Sequence, residues 1–150
     1  GRFVLAVADW DGPYVIRATA DNPLVDVEAS ARVLRALDQG ADYCVEDGLP
    51  VGAAVEALRT EVLREAAALA TSAYDREHVT PFVRHSPDRF AVHLLPAPPG
   101  LRRPALRLTI DTRHDLHFVR SLIEQAGHDR PSLATVLDLA ERSAWWAGVA

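Results

Sequence analysis

The sequence of 150 residues contains no lysine, no methionine and a single cysteine. One cysteine cannot form an internal disulfide, so Cys44 is expected to be a small buried side chain of a protein from the reducing cytoplasm, with a catalytic thiol as the alternative. Natural reading frames begin with methionine, so its absence favours a part of a longer protein. There is also no run of about 18 apolar residues, and no membrane association is expected.

Positive charge is scarce as well. All 16 basic residues are arginine, they are outnumbered by 21 acidic residues, and the net charge is -5. A net acidic chain without a basic block argues against nucleic-acid binding. The apolar share of 49% and the charged share of 25% are those of an ordinary globular domain. A chain of this length can bury a core large enough to fold without metal or disulfide.

Helical periodicity alternates with short strand-like runs, and this predicts an α/β fold with a mostly parallel sheet flanked by helices. We divide the chain into an incomplete α/β domain over 1–127 and a helical extension over 128–150. The expected helices cover 2–10, 27–38, 59–70, 75–86 with a break near Pro81, 113–126 and 131–144. The expected strands cover 14–19, 41–45, 53–57, 90–95 and 106–110.

Two of the expected strands are followed by a carboxylate. Asp21 follows the first strand, and Asp111 follows Leu106–Ile110 directly. The carboxyl ends of parallel strands share one edge of a sheet, where ligands bind. Paired carboxylates with substrate phosphates are the ligands that Mg²⁺ prefers, so the spacing predicts a magnesium site. In the alternative, Asp111 only caps the next helix, and Asp21 only forms a turn with its own backbone.

Two further polar clusters could have a functional role, but their patterns are less specific for a binding site. His114 and His117 lie three apart and could bind zinc, although a solvated helix face is the commoner reason for such spacing. The run Asp75–His78 is either a charge network at a helix start or part of a substrate site. The sequence contains no phosphate-binding glycine loop, nucleophile elbow or C-x-x-C pair.

Four blocks of sequence resemble the cytidylyltransferase family of spore coat polysaccharide biosynthesis and, more distantly, the acylneuraminate and Kdo cytidylyltransferases. The blocks are VIRATADNPLVD, DGLPVGAAVEAL, DREHVTPFVRHSPDRF and LRLTIDTRHDLHFVRSLIEQ. The resemblance covers about residues 1–126. It implies a Rossmann-like nucleotide-diphospho-sugar transferase fold. It also implies an enzyme of polysaccharide biosynthesis, a transferase that moves CMP from CTP to a sugar or sugar acid and releases pyrophosphate.

The resemblance also suggests roles at the reaction centre. Asp21 and Asp111 match the two family aspartates that bind the catalytic Mg²⁺. Arg17, four residues before Asp21, is expected near phosphate or sugar, and it is grouped with both aspartates as a catalytic residue.

A second set of residues is expected on the substrate side. Glu56 matches a family acid that faces the sugar, and Asn22 is expected to hold the loop of Asp21. Arg76, Glu77 and His78 match a block that shapes the acceptor pocket.

The family begins with a glycine-rich basic loop that binds CTP, and nothing in this sequence matches it. We therefore expect the chain to be the acceptor-side and metal-binding part of such an enzyme, without CTP turnover on its own. The alternatives are a non-catalytic sugar-binding or dimerisation module derived from the family, and a glycosyltransferase of related fold. CTP and a sugar are the expected partners, and the apolar end at Trp145 and Trp146 is compatible with a homodimer.

Overall fold

A computed structural model describes residues 2–143. The chain forms two compact units. The first contains the chain up to Arg17 together with residues 30–45 and 56–95, and the second contains residues 18–29, 46–55 and the chain from Pro96 onward. The predicted boundary between residues 127 and 128 stays a prediction.

The first unit contains most of a four-stranded sheet. Its strands are β1 (Tyr14–Arg17), β2 (Tyr43–Asp47), β3 (Glu56–Arg59) and β4 (Val92–Pro96), in the spatial order β1-β3-β2-β4. The α/β class is confirmed. However, β3 runs antiparallel to both β1 and β2, where parallel pairs were expected. Only the loop 48–55 joins β2 to β3. A parallel crossover needs about a dozen residues or more, so this short loop returns the chain antiparallel.

Five helices accompany this sheet: α1 (Arg2–Ala6), α2 (Ala29–Asp38), α3 (Thr60–Leu69), α4 (Ala73–His78) and α5 (Thr80–Arg84). The expected break near Pro81 is confirmed, because α4 ends at His78 and Pro81 lies in the first turn of α5. Between them Val79 has a φ of 59°, which reverses the chain. The core of this unit consists of Val7, Tyr43, Leu58, Val62, Leu63, Ala66, Val79, Val83 and Phe90.

The second unit is built around two helices, α6 (Arg113–Ala126) and α7 (Leu133–Arg142), which pack on each other. Gly127 ends α6 in the left-handed conformation, as predicted. The N-cap of α7 is Ser132, whose hydroxyl accepts the N–H of Thr135, so the helix starts two residues later than expected. The predicted docking role of Trp145 and Trp146 lies outside the described residues. Among those that are described, no helix is long and apolar enough to cross a membrane.

The strand expected over 106–110 is wrong. Only Arg107 forms a β-bridge, and its partner is Val51. The N–H of Leu108 donates to the Val51 carbonyl at 2.8 Å, but the N–H of Ile110 donates to the Asp21 carbonyl at 2.8 Å. This segment is extended, but it shares its hydrogen bonds between two partners, so a continuous ladder cannot form.

Candidate active site

In the second unit, the segments that carry the two predicted metal ligands, Asp21 and Asp111, are joined by a hydrogen bond. Asp21 lies in the turn that follows β1, and its carbonyl accepts the N–H of Ile110, the residue before Asp111. Asn22 stabilises this turn, because its backbone N–H donates to the Thr19 carbonyl at 3.0 Å and its Nδ2 donates to Thr19 Oγ1 at 2.8 Å. Asp21 and Asp111 are both exposed on these adjoining segments.

Gly52 belongs to a third segment of the chain, which packs closely against the segments of Asn22 and Thr109. Its φ is 90°, and a Cβ on it would lie 2.7 Å from the backbone nitrogen of Thr109 and 2.8 Å from Asn22 Oδ1. Asn22 Oδ1 is itself buried without a hydrogen-bond partner in the described part of the chain. Only a glycine allows such a close approach between the three segments. Nothing in the sequence pattern singled out Gly52, although it lies within the family-like block DGLPVGAAVEAL.

The carboxylate of Asp111 does not cap the helix that follows it. Thr112 is the N-cap of α6, and its hydroxyl accepts the N–H of Asp115 at 3.2 Å. Asp115 Oδ2 in turn accepts the N–H of Thr112 at 2.8 Å and that of Asp111 at 3.0 Å. The Thr112 hydroxyl also donates to Asp115 Oδ2, at 2.9 Å. This bond, followed by the two backbone bonds to the same carboxylate, lowers the pKa of Asp115. The capping alternative for Asp111 is wrong, and its carboxylate instead pairs with Arg107.

The donor set fits a hard divalent cation. Two exposed carboxylates on adjoining segments leave room for the waters or phosphate oxygens with which Mg²⁺ completes its coordination. Within residues 2–143, no group of three or more histidine, cysteine or acidic side chains is placed to hold a metal ion. A zinc site built on His114 and His117 therefore has no support, and Cys44 is buried as expected.

A separate polar cluster surrounds Glu56 in the first unit. Glu56 begins β3 directly opposite Arg17 of β1, and the two side chains form an ion pair. Glu56 Oε1 accepts the hydroxyl of Tyr43 at 2.5 Å, and Oε2 accepts that of Thr80 at 3.2 Å. Arg17 was predicted as a catalytic residue near phosphate or sugar and Glu56 as a ligand of the sugar, and in the structure the two form an ion pair. Tyr43 and Thr80 were missed, because only the register of β3 and the turn at Val79 place them there.

Burial dominates the electrostatics of this cluster. Tyr43 is fully buried, and burial together with the Glu56 carboxylate raises the pKa of its hydroxyl far above the ordinary value. Arg17 Nε is buried without a partner among the described residues, and its guanidinium lies 5.3 Å from the centre of the Phe3 ring. Only 13% of the Glu56 side chain is exposed, so this carboxylate is largely committed to protein groups.

The remaining predicted residues lie on α4. Ser72 caps this helix by accepting the N–H of Asp75 at 3.0 Å, in agreement with the interpretation of the cluster as a helix start. Arg76 Nε donates to the Ala70 carbonyl at 3.0 Å, and His78 contacts the Tyr74 ring with 4.7 Å between ring centres. Glu77 is exposed. A role for these side chains in acceptor binding stays a prediction.

Tyr43→Phe should lower the free energy of unfolding by about 1–3 kcal/mol at pH 8, because it removes a buried hydrogen bond to a carboxylate. Above about pH 10 the tyrosine ionises in the unfolded chain but stays protonated in the folded one. The stability that the hydroxyl contributes is therefore complete below pH 10 and falls as the pH rises. By pH 11 the advantage of the wild type should shrink by about 1.4 kcal/mol. Urea unfolding of both proteins between pH 8 and 11 measures it, and a constant difference would contradict the assignment.

The fold of the chain is shared by a solved structure. The chain superposes on the structure of a cytidylyltransferase from Leptospira borgpetersenii with a TM-score of 0.84, covering 99% of this chain and 63% of the other. The two sequences are 20% identical, so this likeness describes the fold.

The chain belongs to the cytidylyltransferase family, whose sequence model matches residues 1–141. It is 35% identical over 135 residues to the spore coat polysaccharide biosynthesis protein SpsF of Bacillus subtilis, covering 89% of this chain and 56% of that protein. It is 30% identical over 143 residues to an uncharacterized protein of Methanocaldococcus jannaschii, covering 95% and 59%. The chain thus spans somewhat more than half the length of these relatives. The predicted family is confirmed.

Proposed function

We propose that the chain is the acceptor-side and metal-binding part of a sugar nucleotidyltransferase, which transfers CMP from CTP to a sugar or sugar acid and releases pyrophosphate. The observation that carries the proposal is the hydrogen bond from the N–H of Ile110 to the Asp21 carbonyl, at 2.8 Å. It joins the segment that carries Asp21 to the segment that carries Asp111, in a chain that belongs to the cytidylyltransferase family.

In this reaction an oxygen of the acceptor forms a bond to the α-phosphorus of CTP, and the bond to the pyrophosphate oxygen breaks. A bound Mg²⁺ would neutralise and orient the phosphates. Asp21 and Asp111 would hold the ion. Arg17 would offset further negative charge, since its guanidinium is fixed by Glu56 with one nitrogen unpartnered among the described residues.

A second group of residues is proposed to form the acceptor side of the site, some by holding other residues in place and some by contacting the sugar. Asn22 keeps the turn of Asp21 in place through its two bonds to Thr19. Glu56 acts mainly by orienting Arg17, because its oxygens are taken by protein donors. Arg76, Glu77 and His78 on α4 would contact the sugar itself.

A buried Cys44 with no second cysteine in the sequence supports a reducing compartment such as the cytoplasm.

The complete natural protein should release pyrophosphate from CTP when it is given Mg²⁺ and a suitable member of a panel of sugars and sugar acids. EDTA should abolish the release, and added Mg²⁺ should restore it. ATP, GTP and UTP serve as controls and should react far more slowly. A protein that binds a sugar from the panel but never turns over CTP would instead be a non-catalytic module, and the proposed activity would be wrong.

A further inference from the structure

Arg107 forms an ion pair with Asp111, one of the two candidate metal ligands. Its Nη2 pairs with Asp111 Oδ2, and its Nε lies 3.8 Å from Asp115 Oδ1. About half of the Arg107 side chain and of the Asp111 side chain is exposed, at 49% and 55%. No sequence pattern singled out Arg107, and it takes part in neither of the polar networks assigned to the proposed reaction.

The two carboxylates beside Arg107 are not equivalent. Asp115 is committed to the N-terminus of α6 through three hydrogen bonds from Asp111 and Thr112, and only 15% of its side chain is exposed. The Asp111 carboxylate, in contrast to its backbone N–H, makes no hydrogen bond to α6 among the described residues, so it can exchange its partner. Asp115 therefore keeps Arg107 in place while Asp111 is available to a competing cation.

A divalent cation and a guanidinium compete for the same carboxylate. A doubly charged ion bound to Asp111 would repel Arg107, and an exposed ion pair such as Arg107–Asp111 contributes little free energy by itself. The displaced guanidinium would stay near Asp115, whose Oδ1 lies 3.8 Å from Arg107 Nε. A guanidinium presents several N–H donors in a planar fork, which suits phosphate oxygens.

We propose that Arg107 binds the phosphate groups of the nucleotide substrate, after the divalent cation has released it from Asp111. This inference rests on the proposed function, because it needs a cation at Asp111. It makes Arg107 an inhibitor of metal binding and a promoter of phosphate binding at the same time. A purely structural ion pair would also compete with the metal for Asp111, but it would not promote phosphate binding.

The test titrates the complete natural protein with Mn²⁺, following free Mn²⁺ by electron paramagnetic resonance, and then with inorganic pyrophosphate in the presence of Mn²⁺. Arg107→Gln should bind Mn²⁺ about two- to fivefold more tightly, since an exposed pair contributes no more than that. It should bind pyrophosphate roughly tenfold more weakly, because a charge-assisted contact is lost. Arg113→Gln, an equal change of charge at the exposed first residue of α6, is the matched control and should show much smaller changes.

Arg107→Lys keeps the charge but loses the planar fork. It should bind Mn²⁺ within about twofold of the wild type and pyrophosphate about three- to fivefold more weakly. This variant decides the matter if Arg107→Gln fails to fold, which thermal unfolding detects.

Asp111→Asn distinguishes a failure of the proposed metal site from a failure of the proposed role of Arg107. If the wild type binds no Mn²⁺, or Asp111→Asn binds it equally well, the proposed metal site is wrong and the role of Arg107 is wrong with it. If Asp111→Asn loses Mn²⁺ but Arg107→Gln binds pyrophosphate as tightly as the wild type, the metal site stands and the phosphate role of Arg107 is overturned, whatever the change in Mn²⁺ affinity.

Discussion

Asp111→Asn should lower the rate of the chemical step at least about 100-fold, a change of roughly 3 kcal/mol in the activation free energy. Asparagine keeps the size of the side chain but removes the charge that would hold Mg²⁺. The free energy of unfolding should change by less than about 1 kcal/mol, because the ion pair with Arg107 that is lost is exposed. Single-turnover rates with CTP and the preferred acceptor, together with urea unfolding, measure both quantities on the complete protein.

Asp138→Asn is the matched control for this substitution. Asp138 lies on α7 of the same unit, with 73% of its side chain exposed and an ion pair to Arg142 at 3.8 Å. The same change of charge there should leave the rate unaltered. Equal rates for wild type and Asp111→Asn, or equal losses in both variants, would remove Asp111 from the reaction centre.

Gly52→Ala should destabilise the second unit by about 2–4 kcal/mol. A methyl group there would lie 2.7 Å from the Thr109 backbone and 2.8 Å from Asn22 Oδ1, and alanine is strained at a φ of 90°. Protein that still folds should bind Mn²⁺ more weakly, because the added carbon forces apart the segments that lead to Asp21 and Asp111.

Gly100→Ala provides the comparison for Gly52→Ala. Within the described part of the chain, no atom lies within 4 Å of the carbon that would be added at Gly100, and the backbone there is outside the left-handed region. Its unfolding free energy should stay within about 0.5 kcal/mol of the wild type. Thermal and urea unfolding of the two variants test the contrast, and a Gly52→Ala protein as stable as Gly100→Ala would show that the close approach is not required.

Features with a local physical cause were predictable from the sequence. The span of α6 follows from its apolar periodicity, the cap residues at its start and Gly127 at its end, and residues 113–126 are found as a helix. The break at Pro81 is equally local, because proline suits a first helical turn and not a helix interior. The pairing of Asp21 with Asp111 was expected from strand ends, and the two segments do adjoin, although the second is not a strand.

Features that depend on long-range register were not predictable. The sequence of Glu56–Arg59 does not indicate whether this strand runs parallel or antiparallel to its neighbours. The position of β3 between β1 and β2 is therefore visible only in the structure. That register places Glu56 opposite Arg17, and burial then brings Tyr43 and Thr80 to the same carboxylate. Close approaches such as that of Gly52 likewise arise from tertiary packing, which the spacing of residues does not record.

The most direct test of the central claim is a crystal structure of the complete protein soaked with Mn²⁺, with anomalous diffraction used to locate the ion. The account predicts a peak bound by carboxylate oxygens of both Asp21 and Asp111, at roughly the 2.0–2.2 Å typical of a small divalent cation. In Asp111→Asn crystals the peak should disappear. A strong Mn²⁺ peak elsewhere, with Asp21 and Asp111 both free of the ion, would contradict the account.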